Sequence, residues 1–178
     1  VAKTIHVSLN SRSIGDAIRE LREYKKEIKR KTELLRQQIA LEISVAAESR
    51  FKMAVVDDLL NAPARMANVE VTVEDSGKTS VVIASGEDAV WVEFGAGVYY
   101  NGGEGAIGKS PHEKGVELGF TIGSMGENGK KNVWGFYEGE GNDKTLLLTH
   151  GTPASMPMYN SMMEVCRRID EIAREVFG

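Results

Sequence analysis

Cysteine is almost absent from this sequence: Cys166 is the only one in 178 residues. A disulfide within the chain is therefore excluded, and a reducing compartment suits the composition. Histidine is scarce as well. His6, His112 and His150 show no metal-ligand spacing, and no second thiol stands ready to join Cys166. No apolar run approaches the roughly 18 residues that a membrane-spanning helix needs. The opening VAKTIHVSLN lacks the apolar core of a signal peptide, so a protein made and kept in a cytoplasm is expected, with no membrane partner. No G-x-S-x-G elbow occurs. Basic charge is not in excess: Lys+Arg number 22 against 26 Asp+Glu, a net charge of −4, which argues against a dedicated nucleic-acid binder. No catalytic group, cofactor or metal is predicted, and the chain does not read as an enzyme.

What is there suits one domain with a real core, 42% hydrophobic and 27% charged. KTIHVSLN alternates and reads as a short strand. Ser11 or Ser13 can then cap a helix in which Ile14, Leu21, Ile28 and Leu35 recur every seventh residue, with Ile18, Ile39 and Ala46 extending the stripe. No Pro or Gly occurs between Asp16 and Asn61, so one long helix ending near Pro63 is expected. Its segment Arg19–Lys31 holds seven basic and three acidic residues. A solvated face laced with pairs such as Glu27 and Lys31 is one reading. A surface for DNA or an acidic partner is the other.

NVEVTVED and TSVVIAS, joined by Ser76-Gly77-Lys78, predict a hairpin. AVWVEFG is a strand or a short helical turn. From Gly95 to Gly141 the chain holds 14 of its 19 glycines, a density that predicts a mobile or functional loop. NVWGFYEG and KTLLLTH read as a second pair of strands. A closing helix follows, with Thr152 or Ser155 at its cap, Pro153 or Pro157 in its first turn, and an apolar stripe of Met162, Cys166, Ile169, Ala173 and Val176. Methionines 156, 158, 162 and 163 cluster at its start, as a core face or as an adaptable interface.

The result is a single α+β domain over 1–178, a small, mostly antiparallel sheet flanked by long N-terminal and C-terminal helices. Its stretches are a strand and long helix over 1–64, a hairpin and third strand over 65–94, and a Gly-rich, partner-contacting loop over 95–131. Strands over 132–150 and a helix over 151–178 complete it.

GEGAIGKS at 103–110 matches the phosphate-binding pattern G-x-x-x-x-G-K-[ST], with Gly103, Gly108, Lys109 and Ser110 at its fixed positions. A P-loop joins a buried parallel strand to a helix. Here the preceding GVYYNG lacks an apolar run, and glycines at 115 and 119 weaken any helix after Ser110. The match is read as coincidence.

Three segments, VWVEFGAGV at 90–98, GFTIGSMGENGKKNVWGFY at 119–137 and THGTPASMPMY at 149–159, resemble the tail-completion or head–tail joining family of long-tailed bacteriophages, the neck proteins also called tail terminators. The resemblance covers about residues 40–178. Its best motifs are Val92-Glu93-Phe94-Gly95 and Thr149-His150-Gly151-Thr152-Pro153-Ala154, completed by Pro157-Met158. Ala96 stands where the family usually has Thr, and Leu60-Asn61-Ala62-Pro63-Ala64-Arg65 is all that remains of a V-D-T-G-x-L-R segment. The resemblance implies a virion subunit, assembled in the host cytoplasm, that forms a homo-oligomeric ring, typically a hexamer. Its partners would be the tail-tube protein and the head-completion or connector protein, with DNA passing through the channel without specific binding. Met156, Met158, Tyr159 and Met162, with Phe94, Tyr99, Tyr100 and Trp134, are the candidate interface residues.

Overall fold

The computed structural model describes Thr4, Ser8 and residues 11–57, 59–95 and 133–178. The expected first strand, most of the glycine-rich loop, GEGAIGKS and the tyrosines at 99 and 100 lie outside the described residues.

Helix α1 spans Ser11–Lys52. Forty-two residues at about 1.5 Å each make a rod of about 63 Å, longer than a small domain is wide. Ser13 Oγ accepts the Ser8 N–H at 3.0 Å, so it tethers the incoming chain from inside the helix instead of capping it. Arg50 and Lys52 in the last turn suit the negative end of the helix dipole. The helix stops well short of Pro63, because Met53 N–H and Ala54 N–H turn back onto the carbonyls of Arg50 and Phe51. Val55 and Val56, β-branched, then leave as strand β1 (Val55–Asp57), which pairs antiparallel with β2 (Arg65–Met66) across a bulge. This turn brings Phe51, Ala54 and Val56 to one place. They form the core cluster with Val92, and Val69, Val71, Ala84 and Met158 pack around it.

Strands β3 (Glu70–Asp75) and β4 (Ser80–Ser85) make the expected hairpin. Gly77 takes φ +80° in its turn, and its N–H donates to Asp75 Oδ1 at 2.7 Å. Asp75 also receives Arg36 Nη1 at 2.5 Å, Arg36 Nη2 at 3.2 Å and Gln37 Nε2 at 2.7 Å, tying the hairpin to α1. Those donors, Arg36 first, hold the Asp75 carboxyl far below the usual carboxylate range. The second expected pair is β5 (Trp134–Glu138) with β6 (Thr145–Thr149). Leu59 bridges Thr149, and the Asn61 amide closes the far edge of β6: it accepts Leu148 N–H and donates to Leu146 O, both at 2.9 Å. Among the described residues these are three separate two-stranded antiparallel pairs, not one continuous sheet, and of them the β3–β4 hairpin packs on α1.

Helices α3 (Pro157–Arg167) and α4 (Ile169–Phe177) complete the α+β fold, separated by a break at Arg168. Together they run back along α1. Arg50 donates to Ser161 Oγ at 2.9 Å and to Glu164 at 2.5 Å, holding the Glu164 carboxyl below its ordinary range. Arg168 meets Glu42 at 3.3 Å, and Lys31 Nζ reaches Phe177 O at 3.2 Å. The buried face is Ser161, Val165 and Ile172. The expected stripe through Met162, Cys166 and Ile169 is thus displaced by about one position and exposed. A partnered serine wins a core position because Arg50 satisfies its hydroxyl. No helix among the described residues is long and apolar enough to cross a membrane.

Replacing Asp75→Asn should lower the melting temperature at neutral pH. Asp75 is depressed in the folded state, so its contribution is full above the unfolded value of about 3.9 and lost as pH falls below it. The gap between wild type and variant should therefore shrink toward about pH 2, as followed by circular dichroism; a gap unchanged with pH would contradict this assignment.

Candidate subunit interface

AVWVEF forms helix α2, Ala89–Phe94. Its entry is fixed by Asp88, which is buried yet does not cap the helix. Its two oxygens instead take Arg65 at 3.0 and 2.9 Å, and Oδ2 also accepts Asn68 N–H at 2.9 Å. A buried carboxylate with three donors, one guanidinium among them, is a satisfied one. Val92 then enters the core, and Gly95 ends the helix at φ +80°.

Glu93, the next residue, is buried as well. Its carboxylate lies across the start of α3: Oε2 accepts Met158 N–H at 2.8 Å and Oε1 accepts Tyr159 N–H at 3.0 Å. The first N–H groups of a helix have no partner inside it. Pro157 at the first position has no N–H to satisfy, and the next two are taken by Glu93. The negative charge also sits at the positive end of the helix dipole. Met156, the preceding residue, cannot cap with its side chain and adopts the left-handed conformation at φ +47°. For a non-glycine residue that costs about 1–2 kcal/mol, which the external cap offsets. Ser155 N–H donates to Val92 O at 2.9 Å, a second tie between the same two segments. The strap leading there is buried at Thr149, Gly151 and Thr152, with Thr149 Oγ1 accepting Gly151 N–H at 2.8 Å.

Phe94, Met156, Met158 and Tyr159 are thus brought together, all half-buried, where α2 meets the start of α3. Met158 packs on the chain's own core cluster. Met162, 42% exposed one turn on, faces outward. Trp134 stands opposite Thr149 at the start of β5, so its strand leads into the same strap. Glu93 belongs to the Val92-Glu93-Phe94-Gly95 motif that the sequence singles out, but its capping of a helix far along the chain is not expected from sequence. The expected cap at Thr152 or Ser155 is instead Met156, which offers no side-chain acceptor, and the first turn holds no acidic residue, so its N–H groups take an acceptor from elsewhere in the chain.

Among the described residues no group of three or more His, Cys, Asp or Glu is placed to hold a metal ion. Cys166 is exposed rather than buried on a core stripe.

Glu93→Ala should leave two helix N–H groups without an acceptor and cost about 2 kcal/mol in urea unfolding, with Glu93→Gln losing less because its carbonyl still accepts one. An unchanged unfolding midpoint for the alanine variant would remove Glu93 from this role. Comparison of the chain with protein-family models, curated proteins and solved structures finds no match.

Proposed function

We propose that this chain is a structural, non-catalytic subunit of a bacteriophage neck, forming a ring that completes the tail and joins it to the head connector while leaving a channel for DNA. The observation that carries the reading is the contact between Glu93 and the N–H groups of Met158 and Tyr159. It unites the two segments in which the family resemblance is strongest, V-E-F-G and the T-H-G-T-P-A strap with its Pro-Met, into one buried junction. Shared motifs that lie apart in sequence and form a single structural unit support common descent better than either motif alone. The exposed apolar surface supports assembly: Leu34, Leu41 and Val45 lie on one side of α1 at 42–58% exposure, and Met162 flanks the junction. Partners on this reading are further copies of the chain, the tail-tube protein and the head-completion protein. The ring resides in the virion.

Met162 is the methionine whose substitution tests this. Met158→Asp would place a charge against Phe51 and Val92 and so disturb folding. Met162→Asp should leave the fold intact by circular dichroism while weakening rings in native mass spectrometry and leaving tails unjoined to heads. A wild type that stays monomeric at high concentration and beside its neck partners would defeat the reading. Lys109→Ala, in the coincidental phosphate pattern, should leave assembly unchanged; a micromolar ATP affinity abolished by that change would show a nucleotide site instead.

A further inference from the structure

We infer that the N-terminal half of α1, Ser11–Arg30, is an arm that docks on the outer face of the β5–β6 hairpin of a second copy of this chain; the inference rests on the ring reading above.

The arm reaches past the elements that pack on the rest of α1. Helix α4 ends at Phe177 beside Lys31, and the turn of the β3–β4 hairpin is held at Arg36 and Gln37. Residues 11–30 continue for about 30 Å beyond. Along them Ile14, Ile18, Leu21 and Ile28, 37–54% exposed, fall at spacings that share one helix face. Leu35, Ile39 and Ile43 continue that face and are half-buried against the body. One stripe thus serves two surfaces: its second half is covered by the described elements of the chain, while in its first half Ala17 is buried and Ile14, Ile18, Leu21 and Ile28 keep exposed apolar area.

The receiving surface has matching chemistry. On the β5–β6 hairpin, Leu147 and Thr149 point inward and are buried. Tyr137, Leu146 and Leu148 point outward at 68%, 43% and 37% exposure, and Leu60 beside them is 50% exposed. Gly135 lies between the leucines, where even a Cβ would meet Leu146 Cδ1 at 3.0 Å and Leu148 Cδ2 at 3.2 Å. The hairpin's tip carries Glu138, Glu140 and Asp143 against one Lys144.

Charge selects the pairing. Residues 19–31 sum to +4, seven basic less three acidic, so the remaining 15 basic and 23 acidic residues sum to −8. Arg22, Lys25, Lys26 and Arg30 have no carboxylate partner among the described residues, nor do Glu138, Glu140 and Asp143 have a cation. Lys25 lies within the apolar stripe, so two arms facing each other would oppose like charges. Arm against acidic hairpin relieves this. The chain's own hairpin is anchored through Leu59, Leu60 and Asn61, a few residues past the C-terminal end of α1, and Arg30 lies about 33 Å back along the rod from that end. A contact between two different surfaces repeats from copy to copy, closing into a ring or running on as a filament.

The test uses full-length chains in native mass spectrometry, with circular dichroism confirming each fold. I18D/L21D in the arm and Y137D/L146D in the hairpin should each abolish assembly. Mixed together, the two variants keep one intact contact, so they should form a two-chain complex and nothing larger. Milder surface changes give an independent reading: Lys25→Glu and Glu138→Lys should each weaken assembly about fivefold, and combining them in one chain should restore it. Rings undisturbed by the arm variants would overturn the inference and leave the ring reading standing. Open filaments in place of rings, lost in the arm variants, would support the inference and sink the ring. A wild-type monomer overturns both. Arm variants that assemble normally but lose salt-sensitive DNA retention would assign the arm to nucleic acid and overturn the inference. So would a Leu21→Cys change, in a Cys166→Ser background, whose thiol carries a maleimide–benzophenone label that photo-cross-links only within its own chain.

Discussion

Two N–H groups at the start of α3 need an acceptor, and Glu93 is the residue that supplies one. Much of the architecture follows from that need. The carboxylate must be held still, so α2 is anchored at one end by Asp88 on Arg65 and in its middle by Val92 in the core. With its start fixed, α3 lays Ser161 and Val165 along α1, where Arg50 satisfies the serine. Helix α4 continues the same course after the break at Arg168. The strap from Thr149 to Met156 buries Thr149, Gly151 and Thr152, and there the Thr149 hydroxyl accepts the Gly151 N–H.

Helix α1 is the frame on which the β3–β4 hairpin and the two C-terminal helices are placed. The hairpin β3–β4 is tied to it by Arg36, the C-terminal helices by Arg50, Glu42 and Lys31. These are mostly charged contacts at half-exposed positions, each worth little by itself. Their role is register: they decide which turn of α1 meets which partner, while apolar side chains buried around Phe51 stabilise the packed body. A 42-residue rod with a body built on one part of it is an asymmetric object.

The basic run on α1 is only partly paired within its own helix. Arg19 pairs with Asp16 at 2.8 Å, Lys29 with Glu33 and Lys31 with Glu27, both at 3.8 Å, as helical spacing predicts. The cations left over are those that fall between the acidic positions. Their excess is set by sequence; what it meets depends on another surface.

Element identity was legible wherever the cause was local. An absence of Pro and Gly from Asp16 onward makes α1 a helix, alternation with a glycine turn makes β3–β4 a hairpin, and Pro157 marks the first turn of α3 because it has no N–H to lose. Other features waited for tertiary structure, and for a physical reason in each case. Val55 and Val56 extend a helical pattern equally well until pairing with Arg65 and Met66 makes a strand more favourable. The last helix carries apolar residues on neighbouring faces, and only contact with Arg50 and its surroundings selects Ser161 over Met162 for burial. AVWVEF is short and apolar, so periodicity cannot separate strand from helix; docking Val92 and Glu93 together decides for the helix. Glu93 finds its partners 65 and 66 residues away, beyond any spacing rule, since hydrogen bonds between distant segments are chosen by how the chain packs and not by where residues stand along it.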